Sequence, residues 1–280
     1  MNSRIASILE LKYQPVALTW SDEKPEKAVA FKEGRWACVM FSFANAAKGK
    51  TAVFSRKTFG CWGGGVGLGF GNRYVDFPGG EECFHYFLSS GNKHSETGRA
   101  VGEQIRQAPG SGEFYEDFME GERYLKGPEE TKAFIENLPI IDIPAQYVVM
   151  KPLSQTDEKT ETLKTITFLA TPDQLSALVV LANHGRKSYD NVIIPFAAGC
   201  QAIGILAYAE AERENPRGVV GLVDLSARKS VRKILGNNLF TFSMPLSLFH
   251  EMEGNIDDSF FFRNTWKALA GKNGDETPAH

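Results

Sequence analysis

Apolar residues along this chain switch between helical and alternating spacing, and the switches lay out its elements. Ile5, Ile8, Leu9 and Leu11 set against Arg4, Glu10 and Lys12 predict a short helix over Ser3–Leu11. A strand over Pro15–Trp20, an apolar helix over Arg35–Lys48 and a strand over Thr51–Ser55 come next, and then a glycine-dense turn. Residues 78–140 are looser. There Pro109-Gly110-Ser111-Gly112 and Gly127-Pro128 punctuate short helical pieces, and Pro128 is placed as the first residue of a helix running to Asn137. Order returns with strands over Gln146–Pro152 and Thr165–Ala170 and helices over Pro172–His184 and Ala198–Glu214. A strand over Val219–Leu225, a short helix over Arg228–Leu235, a strand over Leu239–Ser243 and two terminal helices complete the pattern, and Ala270–His280 reads as a frayed end.

The two ordered stretches run in parallel. Each holds an alanine-rich helix with a cysteine near its start, then a strand, then a turn, so that Cys38 corresponds to Cys200 and the turn at Arg56–Gly65 to the one at Ser226–Arg228. The likeness is one of order and character, and alternating helices and strands produce it in any α/β protein. The expected architecture is a single α/β domain, with mixed α+β as the variant. It has a first βα half over 1–77, a helical insertion over 78–140 acting as a cover, a second βα half over 141–271 and a tail over 272–280.

Composition narrows the class. The chain has 280 residues with 42% hydrophobic and 23% charged, enough to bury a core, and a formal charge of -3 that selects neither nucleic acid nor anionic lipid. Met1–Tyr13 lacks the apolar run of a secretory signal, and Ile193–Ala209 is broken by Pro195, Gly199, Gln201 and Gly204 before it reaches membrane-spanning length. Four dispersed cysteines without a Cys-x-x-Cys pair fit a reducing compartment, so the expectation is a cytoplasmic protein, with self-association open.

The densest local signal is Phe59-Gly60-Cys61-Trp62-Gly63-Gly64-Gly65-Val66-Gly67-Leu68-Gly69-Phe70-Gly71. Glycine at that density serves positive φ or close approach to the backbone. Two readings compete: amides forming an anion-binding concavity flanked by Arg56, Lys57 and Arg73, or a tight turn with a glycine-lined helix crossing. The dinucleotide fingerprint fails, because Gly65-x-Gly67 meets Phe70 where a glycine is needed. Ala44-Asn45-Ala46-Ala47-Lys48-Gly49-Lys50-Thr51 is spelled like a relaxed P-loop, but its neighbours favour helix before and strand after, the reverse of what that motif requires.

Cys38 and Cys200 fall in the first turns of helices, where the dipole favours thiolate, and Cys61 lies near Arg56 and Lys57. Together the three are candidate ligands for a metal or an iron–sulfur cluster, against the bland reading of cysteine as a small hydrophobe. Cys83 and His85 are too close together to serve as two independent ligands, and His94, His184 and His250 have no metal spacing. Asp257 and Asp258 read as a helix cap before Ser259-Phe260-Phe261-Phe262. Glu113, Glu116, Asp117, Glu120 and Glu122 read as a solvated face, interleaved with Phe114, Tyr115, Phe118 and Tyr124 as a candidate lid. Arg228, Lys229, Arg232 and Lys233 form a basic face on which Arg228 is the candidate anion partner.

Taken in order, Cys38 in its alanine-rich helix, Gly60-Cys61-Trp62-Gly63-Gly64 with Gly67-Leu68-Gly69, Pro172 after a strand, Gly199-Cys200 and Phe242-Ser243-Met244-Pro245 resemble domain-of-unknown-function family 169, widespread in anaerobic bacteria and archaea. The resemblance runs from about Tyr13 to Trp266 and implies an α/β fold without settled biochemistry. Family members often carry a further cysteine before an arginine in the second turn. Here Asp224-Leu225-Ser226-Ala227-Arg228 keeps the arginine alone, which weakens a four-cysteine cluster. The leading expectation is a small anionic ligand or cofactor bound at the glycine turn between the halves. In it Gly63, Gly64 and Gly65 bind through their amides, Arg228 pairs with the charge, Trp62 stacks, and Cys38, Cys61 and Cys200 line the site. The alternatives are a metal or iron–sulfur redox protein ligated by Cys38, Cys61 and Cys200, and a thiol-dependent enzyme with Cys61 as nucleophile.

Overall fold

The computed structural model describes residues 1–34 and 36–271. Arg35, the expected start of the second helix, and the expected frayed tail 272–280 lie outside the described residues. In chain order the ordered elements are α1 (Arg4–Ile8), β1 (Val16–Ser21), β2 (Val29–Ala30), α2 (Val39–Ala46), β3 (Ala52–Ser55) and α3 (Trp62–Leu68). Next come α4 (Gly80–Leu88), α5 (Glu96–Gln107), α6 (Gly112–Glu120) and α7 (Pro128–Glu136). The remainder is β4 (Tyr147–Pro152), β5 (Thr162–Ala170), α8 (Pro172–Asn183), β6 (Val192–Ile193), α9 (Gly199–Ile203), α10 (Ile205–Ala211), β7 (Gly218–Gly221), α11 (Leu225–Leu235), β8 (Phe240–Pro245), α12 (Leu246–Gly254) and α13 (Asn264–Leu269). The chain is mixed α+β. None of the described helices is long and apolar enough to cross a membrane.

Among the described residues two compact units are present, 1–69 with 143–271 and 70–142. In the first, eight strands form one mixed sheet in the order β2-β3-β4-β1-β5-β8-β7-β6. That order is two copies of one pattern. In each copy a two-residue edge strand runs parallel to its neighbour, which is antiparallel to the next, which is antiparallel to an inner strand. The inner strands β1 and β5 then pair with each other.

Register carries the relation down to single residues. Pro152 stands opposite Val16 in one copy and Pro245 opposite Thr165 in the other, so Val16 is the counterpart of Thr165. Across the centre Val16 pairs with Thr167, Ala17 with Ile166 and Leu18 with Thr165. This pairing maps onto itself when the halves are exchanged, as it does for a two-fold axis through Ala17 and Ile166. Residue identity survives over a run of three, where Pro152-Leu153-Ser154 and Pro245-Leu246-Ser247 end β4 and β8 and lead out of them. The strand expected at Gln146–Pro152 therefore closes the first half and does not open the second.

Period-two alternation in β5 divides the sheet's faces. Ile166, Phe168 and Ala170 enter a core with Ile5, Leu178, Leu181, Leu248 and Phe249, supplied by α1, α8 and α12. Thr165 points the other way and donates to the Ile203 carbonyl at 2.9 Å, and on that face lie α2, α9 and α10. The helix expected over Ala198–Glu214 is broken at Gly204 into α9 and α10.

The second unit has its own core. Tyr74 stacks on Phe84 with ring centroids 4.0 Å apart, and Phe77, Phe87, Phe114 and Phe118 continue the cluster. Buried Asn92 ties it together by donating to the Cys83 and Phe118 carbonyls. Phe114 and Phe118, read from sequence as lid residues, are core residues of this unit. Likewise Asp257, read as a cap, pairs with Arg4.

Candidate functional site

The glycine run is a helix, not a turn. Cys61 is the N-cap of α3, its sulfur accepting from the Gly64 amide at 3.3 Å, and the helix ends at Gly69 in the left-handed region. Close packing explains the missing side chains. A Cβ on Gly67 would lie 2.7 Å from the Cys200 carbonyl carbon, and one on Gly204 would lie 1.9 Å from the Gly67 oxygen. The α3 and α9 backbones touch only because both positions are glycine.

The equivalent contact in the exchanged halves is α11 against α2. Four helices thus meet across the axis, and their N-termini carry the candidate chemistry. Cys38 is the N-cap of α2, Cys61 of α3 and Asp224 of α11, while Cys200 lies in the first turn of α9. The capping geometry repeats across the halves. Cys61 accepts from the amide three residues on, Gly64, and Asp224 from the amide three residues on, Ala227, at 3.0 Å. The first amide of α2, from Val39, also acts on the Cys61 sulfur, and the first amide of α9, from Gly199, on the Asp224 carboxylate. Asp224 is the positional counterpart of Cys61. Sequence reading passes over it, although an Asp just after a strand and at the head of a helical Leu-Ser-Ala-Arg stretch is the signal that marks such a cap.

These groups sense one another. Burial pushes the Cys61 thiol up to about 12, and Cys38 and Asp224 push the same way. Burial, then Cys61, Cys38 and Asp224, raise Cys200 well above the ordinary thiol value. Cys38 is raised by burial and Asp224, against lowering hydrogen bonds from Met40 and Ser230. The Asp224 carboxyl is itself raised by burial, and its Oδ1 is buried without a partner. As the side chains lie, Cys200 Sγ donates to the Gly63 carbonyl at 3.1 Å. Among the described residues no three His, Cys, Asp or Glu side chains are drawn up around a single ion position.

The other expected site residues have different occupations. Gly64 is bonded to Cys61 Sγ and the Gly65 amide to the Cys61 carbonyl at 2.8 Å, so two of the three amides assigned to an anion are used within the helix. Arg228 donates to the Leu222, Leu239 and Asn237 carbonyls and lies over the Phe240 ring. It braces the turn in which Leu222 adopts a positive φ of 58°, just before Asp224. Trp62 stacks on Trp36 with centroids 4.5 Å apart, and Trp36 is 55% exposed. Cys83 belongs to the second unit. The P-loop spelling runs out of α2 into β3, the wrong order for phosphate binding.

The family model for domain-of-unknown-function family 169, described as Uncharacterised ArCR, matches residues 4–255, and the chain belongs to that family. No curated protein and no solved structure matches the chain.

Proposed function

We propose that this member of domain-of-unknown-function family 169 binds a thiophilic metal ion or an iron–sulfur cluster where its two halves meet, through Cys38, Cys61 and Cys200, with Asp224 as an oxygen donor. The observation that supports the reading is electrostatic: Cys38 and Asp224 raise both Cys61 and Cys200, so three thiols and one carboxylate at helix N-termini lie within charge reach of one another, and a bound ion would have to draw them together. A soft donor set suits zinc, cuprous or iron–sulfur chemistry, and a bound cation would supply the positive charge that buried thiols need in order to ionise. An orphaned carboxylate oxygen among mutually repelling acids calls for a cation. Loading would turn Cys200 Sγ away from the Gly63 carbonyl and release the protons the thiols now hold. Such thiols persist in a reducing compartment, which supports a cytoplasmic location.

Reduced protein mixed with cobaltous ion, or with ferrous ion and sulfide under argon, tests this. The expected result is a thiolate charge-transfer band with proton release, lost in Cys61→Ser and Cys200→Ser; no uptake of either overturns it. A second reading, a small anionic ligand, is favoured by exposed Trp36 stacked on Trp62 as a platform beside Cys61. Native mass analysis separates the two, because a co-purified organic mass in metal-free protein supports the second. The thiol-enzyme reading is the weakest, since a Cys61 thiol near 12 stays protonated at neutral pH.

A further inference from the structure

A second charged site lies at the far edge of the sheet, independent of the thiols. The loops from α8 to β6 and from α10 to β7 line an open cavity of about 510 Å³, among whose lining residues are Arg186, Lys187, Arg213 and Arg217. Two of these arginines are fixed in the same way. Arg186, with a side chain 9% exposed, gives Nε and Nη2 to Glu251 on α12 and leaves Nη1 without an acceptor. Arg217 gives Nε and Nη2 to buried Glu210. Carboxylates that clamp one side of a guanidinium orient its remaining N–H groups, which is the geometry used to hold tetrahedral oxyanions.

The rest of the lining is held but not saturated. Asn191 is nearly buried and donates to Asn183 and to the Ser188 carbonyl, so the loop has a defined shape. Lys187 is exposed and has no ion-pair partner among the described residues, and Arg213 reaches Glu210 with its Nε at 3.3 Å while its side chain stays 52% exposed. Asp190 is the one carboxylate in the lining, and its pKa is held down first by the hydrogen bond from Ser188 and then, more weakly, by Arg217 and Arg213. Tyr189, between them in sequence, is 96% exposed.

We propose that this cavity binds the phosphate group of a small molecule, with Arg186 and Arg217, held by their carboxylates, as fixed walls of positive charge and Lys187 and Arg213 as the cations that close on it. With Glu251 on Arg186, Glu210 on Arg217 and Arg213, and Asp190 in the lining, the positive charge left over sits on exposed Lys187 and Arg213, which favours an oxyanion that these two can reach.

Calorimetric titration of the full-length protein with inorganic phosphate and with a nucleoside monophosphate, at constant ionic strength, is the test. The expected result is saturable one-site binding that weakens about tenfold or more in Lys187→Ala/Arg213→Ala, about 1.4 kcal/mol or more. Both residues are exposed, so the double variant should melt with the wild type, and Cys61→Ser should bind phosphate unchanged. Tighter binding of the nucleotide, reversed by Tyr189→Ala, supports the proposal with phosphate carried on a planar group; equal binding supports it with phosphate alone. No saturable binding by the wild type, or equal binding by the double variant, overturns it.

Discussion

At the level of single residues, Cys61 and Asp224 do the same local job with different chemistry. Each closes the first turn of its helix through the amide three residues on, and each has its neutral form favoured by burial. Replacing Asp224 by Asn keeps a good cap and removes a desolvated charge, so stability measured in urea should hold or rise; Asp224→Ala should lose about 1 kcal/mol with the cap. If Asp224 is a donor, the Asn variant should also bind cobaltous ion more weakly while folding as well as the wild type. For Cys61 the sign of the pH effect comes from a folded pKa near 12 against an ordinary 9.0. Its contribution is fully present below about pH 9 and is lost as pH rises from there toward 12, because the unfolded thiol ionises first. Unfolding free energy followed from pH 8 to 11 should therefore fall less steeply in Cys61→Ala than in the wild type. In the native metal-free protein at pH 7.5, mass spectrometry after brief iodoacetamide treatment should show Cys61 and Cys200 unmodified, whereas rapid labelling of Cys61 would revive the nucleophile reading.

Among the elements, the glycine-rich α3 is where sequence and structure part most sharply. Helix propensity argues against Trp62-Gly63-Gly64-Gly65-Val66-Gly67-Leu68 as a helix, and tertiary packing overrides it because only a bare backbone lets α3 lie on α9. The glycine-lined crossing was legible as one of two readings; the helical state was not, since a sequence window does not contain Cys200 or Gly204. The same holds for β2 and β6, two-residue edge strands that exist only by pairing with β3 and β7. By contrast β1, β3, β4, α7 and α8 stand close to where periodicity, Pro128 and Pro172 set them. The packing account has a direct consequence. Gly67→Ala and Gly204→Ala should each lower stability by about 1–3 kcal/mol or more, since the added methyl meets backbone that has no rotamer to yield. Gly254→Ala, at the end of α12 with nothing within 4 Å, should be neutral or stabilising by up to about 1 kcal/mol. Thermal melts of the three variants side by side check both signs.

For the molecule as a whole, the pseudo-two-fold explains why the candidate site draws on residues so far apart in sequence. A site on the axis receives one helix pair from each half, so Cys38 and Cys61 come from before the second unit and Cys200 and Asp224 from after it. Order and character in the sequence set Cys38 beside Cys200, whereas the caps set Cys38 against Ala198, so that Cys200 lies two residues further into its helix. The match of Cys61 with Asp224 was hidden because the two residues share a backbone role and not a side chain. The second unit interrupts only the first copy, between α3 and β4, which is why β4 reads in sequence as the opening strand of the second half. Its two ends are already joined by backbone: the Ile143 amide donates to the Gly69 carbonyl at 2.8 Å, and Phe70 and Asp142 bridge beyond them. Closing so short a gap costs little loop entropy, and Gly69 already holds the positive φ a tight turn needs. Deleting 70–142 and joining Gly69 to Ile143 through Asn-Gly should therefore leave a monomer-sized α+β protein that unfolds cooperatively, checked by circular dichroism and urea denaturation. All four donors stay in that protein, so cobaltous binding should survive with affinity within about tenfold of the full chain. A truncated protein that folds but no longer binds, beside a full chain that does, would mean that the second unit supplies part of the site.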